Sequence, residues 1–181
     1  LSGVDYDFRV LDNPAELRDL IFEKNKINNR ARLVAGYCWK WPSKKDFNAY
    51  DIQFPEYNFK MKWNLTEDGS TWIISPNSVN EIGCIHTCQG LEVDYIGVII
   101  GDDLIVRNGQ VITDASKRAS SDKSVQGYKR LLTEKPEETK AMLDLVIKNT
   151  YRTLMTRGMK GCYVYFVDKE TGEYFKSILN G

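Results

Sequence analysis

The fold of this chain is decided by the stretch from Ile82 to Asp102, which reads IGCIHTCQGLEVDYIGVIIGD. The segment from Tyr95 to Ile100 is an almost continuous apolar, β-branched run, which is typical of a strand covered on both faces in a parallel sheet. Ile82 and Ile85 belong to a second buried strand that precedes it. A polar connection, His86 to Glu92, separates the two strands. Since ligands of open α/β sheets gather at the carboxyl ends of strands, we expect this connection to contact a ligand.

Helices and strands predicted on both sides of this stretch extend an α/β pattern. A helix is predicted from Pro14, because Asn13 is a favoured N-cap and proline suits the first turn. A long helix is predicted from Pro136 to Arg157, where apolar residues recur at helical spacing. The predicted strands are 7–11, 32–39, 71–74 and 162–167, with a hairpin turning at Asn108-Gly109 and a short helix over 170–179. Helices that alternate with buried strands predict the α/β class, with a mostly parallel sheet between flanking helices.

The composition sets bounds on the possible functions. The chain has 181 residues, of which 42% are hydrophobic, and this is enough for the core of one large domain. Its 25 acidic and 25 basic residues balance, so any footprint on nucleic acid must be local. No apolar run approaches the roughly 20 residues of a membrane helix, so no membrane partner is expected. Four cysteines and a single histidine favour reduced thiols and a cytoplasmic protein.

The region from about 40 to 68 is predicted to be an irregular insertion that is rich in aromatic residues. It includes Trp41 and the run Phe59-Lys60-Met61-Lys62-Trp63, in which basic residues alternate with apolar ones. Such alternation suits single-stranded nucleic acid, since aromatic rings stack on bases and lysines contact phosphates. The alternative, which we favour, is a surface excursion whose aromatic side chains fold back onto the domain, because aromatic residues first serve to bury area.

A second long connection, from about 113 to 130, is polar and carries several lysines and arginines. A solvated loop is the simpler interpretation of this composition. The alternative is a basic contact to phosphates.

The cysteines give little reason to expect a bound metal. Cys84, His86 and Cys88 are close in sequence, but no C-x-x-C pair completes a tetrahedral site. Cys38 and Cys162 lie on other predicted strands. We therefore predict no metal site in this chain.

Two segments, taken together, carry the functional signal. The first is His86-Thr-Cys-Gln-Gly-Leu-Glu92. The second is Asn149-Thr-Tyr-Arg-Thr-Leu-Met-Thr-Arg157-Gly-Met-Lys-Gly161, which places Arg157 and Lys160 where a helix leads into a strand. In this order they resemble motifs V and VI in the C-terminal motor domain of superfamily 1 DNA/RNA helicases. Motif V there resembles His-x-Ser/Ala-Gln/Lys-Gly-x-Glu before an apolar strand, and motif VI resembles Tyr-x-Ala-x-Thr-Arg-Ala near a helix end.

A closer resemblance is to an uncharacterised bacterial helicase-like family related to the Schlafen-type DNA/RNA helicase domain. That family combines a Gly-Tyr-Cys-Trp strand with the two segments above, and here this strand is Gly36 to Trp39. The resemblance covers essentially the whole chain, and the combination of the segments makes it specific. It implies a RecA-like fold, namely the second lobe of a P-loop NTPase.

The resemblance implies a nucleotide site shared with another domain. Arg157 matches the motif VI arginine, which reaches the γ-phosphate of ATP as an arginine finger and is the expected catalytic residue. Glu92 matches the motif V acid near the nucleotide ribose, and Gly90 permits close approach of the backbone. The alternative is that Arg157 neutralises the negative end of a helix and that Glu92 is simply solvated. The expected ligand is ATP with Mg²⁺, bound mainly by the other lobe.

The resemblance also implies a binding face for single-stranded DNA or RNA. Thr87, Cys88 and Gln89 are expected at the start of a short helix, where free N–H groups can hold a phosphate. His86 is expected to position the strand rather than to act as a general base. The expected stacking and phosphate contacts are Trp39, Trp41, Lys60, Lys62 and Trp63. Two departures from the resembled motifs matter: Cys88 replaces the usual Ser or Ala, and Arg152 replaces the usual Tyr.

The printed sequence has no Gly-x-x-x-x-Gly-Lys-Ser/Thr loop and no strand ending in Asp-Glu after such a loop. Those elements cradle the phosphates and hold magnesium in P-loop NTPases. The chain is therefore expected to be inactive alone and to work with an N-terminal RecA-like lobe of the same polypeptide. The predicted function is the C-terminal half of an ATP-dependent DNA/RNA helicase or translocase. The alternative is a non-motor nucleic-acid-binding or regulatory module that retains a degenerate helicase fold.

Overall fold

The computed structural model describes residues 5–63, 71–88, 90 and 92–180, and these residues form an α/β fold. The strands are β1 (Asp7–Leu11), β2 (Ala31–Ala35), β3 (Ile52–Phe54), β4 (Phe59–Trp63), β5 (Glu81–Gly83), β6 (Val93–Ile100), β7 (Leu104–Arg107), β8 (Gln110–Thr113) and β9 (Gly158–Phe166). The helices are α1 (Pro14–Asn28), α2 (Tyr128–Glu134), α3 (Pro136–Met155) and α4 (Lys169–Asn180). The predicted class is confirmed: the sheet is mostly parallel and helices flank it.

One seven-stranded sheet organises these elements in the order β1-β9-β6-β2-β5-β4-β3. All neighbouring strands in it are parallel except β3, which pairs antiparallel with β4. β7 and β8 form a separate hairpin, and it turns at Asn108-Gly109 as predicted, with both residues at positive φ. Because β1, β2, β5, β6 and β9 are parallel, their ends define two borders, here called the amino edge and the carboxyl edge.

The central strands are buried on both faces, as the sequence around Tyr95 to Ile100 predicts. On one face, Ile96, Val98 and Ile100 of β6 pack in the apolar cluster that contains the buried side of α3. On the other face, Ile99 packs in the cluster that contains α1. Gly97 of β6 faces the cluster that contains α1. Only glycine fits here, because a Cβ at this position would come within 2.7 Å of a Leu33 methyl group.

The predicted helix starts are confirmed, while some ends differ. The side chain of Asn13 accepts a hydrogen bond from Ala15 N at 2.8 Å and so caps α1. α3 starts at Pro136 but ends at Met155 rather than Arg157. β9 accordingly starts at Gly158, earlier than predicted. The turn between α3 and β9 is short and polar, so the sequence contains no strong signal for where the helix ends and the strand begins.

The stretch predicted as a strand over 71–74 is a turn, so this prediction is wrong. The reason is Arg32, a fully buried arginine on β2. Its guanidinium donates hydrogen bonds to the carbonyl oxygens of Ile73 and Ser75 at 2.8 and 2.9 Å, and to Ser78 Oγ at 2.9 Å. The carbonyl groups that would face a neighbouring strand are thus turned toward a buried charge, which has to be hydrogen-bonded.

The aromatic-rich region was predicted to be an irregular surface excursion, but it contributes β3 and β4 to the sheet. The aromatic side chains of β4 do fold into the core, as the favoured interpretation expects. Phe59, Met61 and Trp63 of β4 are buried in the cluster on the α1 face. The buried carboxylate of Asp51 supports this arrangement, since it accepts hydrogen bonds from Trp63 N at 2.7 Å and from Ser43 N at 2.9 Å. The rest of the predicted insertion, 64–68, lies outside the described residues.

The polar connection from 113 to 130 contains a buried charge. Arg118 is 7% exposed, and its guanidinium lies 3.1 Å from Asp103 and 2.7 Å from Asp122. Asp103 also accepts a hydrogen bond from the Tyr151 hydroxyl of α3, and that hydroxyl accepts one from Gly101 N at 3.1 Å. This network joins the end of β6, the connection and α3, so the connection is not simply a solvated loop.

None of the helices in the described part of the chain is long and apolar enough to cross a membrane.

Replacing Tyr151 with Phe is expected to lower the free energy of unfolding by about 2 kcal/mol, because it leaves buried partners of the hydroxyl unpaired. The partners are Gly101 N and the Asp103 carboxylate. Urea-induced unfolding measures the change. The control is Tyr174→Phe, whose hydroxyl is exposed and makes only a long 3.4 Å contact with Gly109 O. Equal losses in the two variants would contradict a special role for the buried network.

Candidate functional site

The connection between β5 and β6 runs from the carboxyl edge of the sheet to the amino edge. Both strands are parallel to β2, which lies between them, so the chain leaves β5 at its carboxyl end and enters β6 at its amino end. His86 therefore lies near the carboxyl edge and Glu92 at the amino edge. The segment from His86 to Glu92 is one motif in the sequence, but its two ends lie at opposite edges of the sheet.

Glu92 and Arg157 are neighbours at the amino edge. Each immediately precedes one of two adjacent strands, β6 and β9, and Val93 N donates a hydrogen bond to Arg157 O at 3.0 Å. Arg157 Nε donates to Thr153 O of the last turn of α3 at 3.2 Å. Among the described residues, no hydrogen bond engages the two terminal guanidinium nitrogens of Arg157. Those nitrogens are thus available for an anionic ligand.

Cys88 and Gly90 precede Glu92 on the same connection. Cys88 is fully buried, and its thiol is close enough to Arg157 for the positive charge to act on its pKa. Burial and the neighbouring Cys84 thiol dominate, and they raise the pKa of Cys88 to about 12. Gly90 is exposed at φ 77°, a left-handed conformation that favours glycine, and the space around its Cα is open.

A second group of charges occupies the same edge. Asp94 of β6 pairs with Lys160 at 2.7 Å and with Arg30 at 3.1 Å. Hydrogen bonds from Lys160 and from Asn28 lower the pKa of this carboxyl group. The amino edge therefore carries three cations: Arg30 from the connection between α1 and β2, Arg157 from the connection between α3 and β9, and Lys160 from the start of β9.

Aromatic rings form a row at the carboxyl edge. Tyr37 lies at its centre, with its ring centroid 5.9 Å from that of His86 and 4.7 Å from that of Trp63. Trp41 continues the row at 5.9 Å from Trp63, and all three contacts are nearly perpendicular. Trp63 is 0% exposed, so it supports the row from beneath and offers no ring face for stacking. His86 is exposed.

The remaining predicted contacts lie on or near β4. Lys60 Nζ sits 4.7 Å from the ring centroid of Tyr50, and Lys62 Nζ lies 3.3 Å from that of Phe47. Trp39 is half-buried and meets Phe54 edge-on at 6.4 Å. The two lysines thus cover exposed aromatic rings at the border of the sheet.

The expectation of free N–H groups at Thr87 and Cys88 is not met in this conformation. Both groups donate to Cys84 O, at 3.1 and 3.3 Å, within a single turn. The Thr87 hydroxyl is also engaged, since it donates to Cys84 O at 2.8 Å and accepts from Cys84 N at 2.7 Å. Gln89 lies outside the described residues.

A cavity of about 280 Å³ opens beside His86, between α3 and the connection that carries Arg118. Its lining combines the Tyr37 ring with polar side chains of α3, among them Asn149 and Thr153. The cavity lies next to the aromatic row, since Tyr37 and His86 belong to both.

No group of three or more His, Cys, Asp or Glu side chains in the described ranges is arranged to hold a metal ion. Cys84 and Cys88 are both 0% exposed, whereas His86 is exposed. The three side chains that looked like ligands in the sequence thus have different surroundings.

Sequence reasoning did not identify Tyr37 or Asp94 as site residues. Tyr37 follows the buried strand β2 and so occupies the carboxyl edge, which is a signal that the sequence contains. Asp94 is harder to find, because its role depends on Lys160, which lies 66 residues away along the chain.

The comparisons with known proteins agree with the two motifs. The family model described as Schlafen group 3, DNA/RNA helicase domain, matches residues 2–168. The chain is also similar to the uncharacterized protein YPL245W of Saccharomyces cerevisiae, at 26% identity over 172 residues. That match covers 93% of this chain and 36% of the yeast protein, so the chain spans about a third of this relative's length. No solved structure matches the chain.

Two buried thiols, Cys88 of this site and Cys162 of β9, are expected to react slowly. Burial also raises the pKa of Cys162 to about 12, the same value as that of Cys88, so both thiols stay protonated near pH 8. We expect the folded protein to be alkylated by iodoacetamide at these two positions at least about a hundredfold more slowly than the unfolded protein. Peptide mass analysis over time measures this, with the urea-unfolded chain as the control. Rapid native labelling of Cys88 would show that the turn at 84–88 opens readily.

Proposed function

The chain belongs to the Schlafen group 3 DNA/RNA helicase domain family, and we propose that it is the second RecA-like lobe of an ATP-dependent DNA/RNA helicase or translocase. The single observation that carries this proposal is the juxtaposition of Glu92 and Arg157. Two segments more than 60 residues apart in the sequence meet at the amino ends of adjacent strands, joined by the Val93 N to Arg157 O hydrogen bond at 3.0 Å.

Arg157 is the proposed arginine finger. Its Nε is anchored to α3 through Thr153 O, while its terminal nitrogens have no hydrogen-bond partner among the described residues. An anchored guanidinium keeps its charge and can donate two parallel hydrogen bonds to a phosphoryl group. Such a donor stabilises the negative charge that spreads over the γ-phosphoryl oxygens during transfer.

Glu92 and Gly90 complete the nucleotide side of this lobe. Glu92 is exposed and immediately precedes Val93, whose N–H bonds to Arg157 O, and its carboxylate would accept hydrogen bonds from ribose hydroxyl groups. Gly90 leaves open space where the backbone approaches the ligand. ATP and Mg²⁺ would be held mainly by the other lobe, whose phosphate loop supplies the metal site.

The nucleic-acid side is proposed at the carboxyl edge. His86 and Trp41 are the accessible parts of the aromatic row, with Trp39 close by, and the exposed Lys60 and the half-buried Lys62 provide positive charge. Stacking plus phosphate contact is the mode by which proteins hold single strands without reading sequence. Trp63 is buried beneath this face, so we assign it a supporting role. Cys88 is also buried, and its thiol is near Arg157, so it does not line this face.

This arrangement separates the two ligands by the length of the central strands. β6 joins the Glu92 connection at its amino end to the buried Arg118–Asp103–Tyr151 network at its carboxyl end. Most residues of β6 are buried, and close-packed protein interiors transmit strain. Closure of the lobes on ATP would thereby move the strand-binding face as a unit.

The test is ATP hydrolysis by the full-length parent protein, with and without single-stranded DNA or RNA. Strand-stimulated hydrolysis is expected, and Arg157→Ala should reduce it by about a thousandfold or more while strand binding persists. Arg157→Lys should also be impaired, because an ammonium group cannot donate two parallel hydrogen bonds.

The matched control is Arg18→Ala, which removes an arginine on α1 that forms an ion pair with the adjacent Asp19 at 2.8 Å. It should leave hydrolysis unchanged. Wild-type hydrolysis in Arg157→Ala would remove the finger assignment. A folded parent that binds a strand but does not hydrolyse ATP would instead support the non-motor binding or regulatory module.

A further inference from the structure

A β-bulge lies directly after Arg157 at the amino end of β9. Val93 of β6 is opposite Gly158 of β9, and Tyr95 is opposite Gly161. Three residues of β6 therefore face four residues of β9, so β9 contains one extra residue here. Bulges of this kind redirect side chains and are frequent beside functional sites.

The glycines at the two ends of the bulge are required by its geometry. A Cβ on Gly158 would lie 2.1 Å from Gly161 O, and a Cβ on Gly161 would lie 2.6 Å from Asp7 O. Both obstacles are backbone atoms, which cannot rotate away as a flexible side chain can. The sequence Gly-Met-Lys-Gly thus specifies the bulge.

The bulge directs Lys160 toward Asp94. Lys160 Nζ lies 2.7 Å from one carboxylate oxygen of Asp94, and Arg30 Nε lies 3.1 Å from the other. The Asp94 side chain is only 10% exposed, whereas those of Lys160 and Arg30 are 56% and 54% exposed. One buried carboxylate therefore holds two exposed cations, and the group retains a net positive charge.

We propose that Lys160, which pairs with Asp94 in this structure, is a second phosphate-binding cation of this lobe, presented by the Gly158–Gly161 bulge. The inference rests on the proposed function, because it places Lys160 on the same triphosphate as Arg157. Arg157 immediately precedes β9, and Lys160 lies three positions later, within the strand. A lysine ammonium has three donors, and in the described part of the structure only one hydrogen bond, to Asp94, engages it.

The roles of the two cations differ by their chemistry. Arg157 can donate a pair of parallel hydrogen bonds to one phosphoryl group, whereas Lys160 acts as a compact point charge. A triphosphate carries several negative charges, so two cations from one lobe can be bound at once. An ordinary exposed ion pair adds little stability and does not require a bulge with two obligatory glycines.

The experiment uses the full-length parent and measures binding of a fluorescent, non-hydrolysable ATP analogue and of fluorescent ADP. Lys160→Met keeps the length of the side chain and removes its charge. We expect it to weaken binding of the triphosphate about tenfold and binding of ADP by less than about twofold. The matched control, Lys148→Met, breaks a similar ion pair on α3, with Asp144 at 2.8 Å, and should change neither affinity.

Asp94→Asn separates phosphate binding from a purely structural ion pair. It breaks the same pair but keeps the lysine, so the triphosphate affinity should stay within about twofold of the wild-type value. Equal weakening by Lys160→Met and Asp94→Asn would overturn the proposal. Wild-type affinities in Lys160→Met, together with lost hydrolysis in Arg157→Ala, would overturn it as well while the proposed function stands. A parent protein that binds neither nucleotide would remove both.

Discussion

The parallel pairing of β6 with β9 is the constraint on which the rest of this structure depends. The two strands are in register from Tyr95 opposite Gly161 to Ile100 opposite Phe166, and both are buried on both faces. Every predicted nucleotide contact lies at one end of this pair, and the buried charge network lies at the other end. A shift of register by one residue would move each apolar side chain to the opposite face, so the cores on both sides hold the pair in place.

Burial of polar groups then fixes the connections around this pair. Arg32, Arg118, Asp51 and Asp103 are almost inaccessible to solvent, and each is satisfied by several partners from different segments. An unpaired charge at such positions would be costly, so these contacts allow few alternative paths for the chain. They explain why long polar stretches without regular secondary structure still have defined positions, and why the two edges of the sheet present fixed sets of side chains.

The same arrangement explains the separation of the two proposed ligand faces. In a parallel sheet, the connection between two strands must run back from the carboxyl edge to the amino edge. Here this connection is the segment that contains His86 to Glu92. A motif that is continuous in sequence can therefore contact two different ligands. The amino edge collects charged side chains, whereas the carboxyl edge collects aromatic rings and the cavity next to them.

Sequence reasoning succeeded where local patterns are strong. The central strands, the Asn13 cap of α1, the start of α3 and the turn at Asn108-Gly109 all follow from side-chain hydrophobicity or backbone preferences of neighbouring residues. The pairing of the His86 segment with the Arg157 segment came from a resemblance to a family, because two motifs in order are specific where either alone is weak. The wrongly predicted strand over 71–74 shows the limit of local patterns. The carbonyl group of Ile73 there accepts a hydrogen bond from Arg32, a buried arginine 41 positions earlier in the chain.

The sequence by itself determined the fold class, the positions of the main helices and strands, and the two segments that carry the helicase-like signal. Only the tertiary structure decided that Glu92 and Arg157 are adjacent, that His86 lies at the opposite edge, and that Trp63 and Cys88 are buried. The physical reason is that strand order and long-range pairing depend on contacts between residues far apart in the chain. The bulge that aims Lys160 at Asp94 is of the same kind, because its extra residue is defined only against the partner strand.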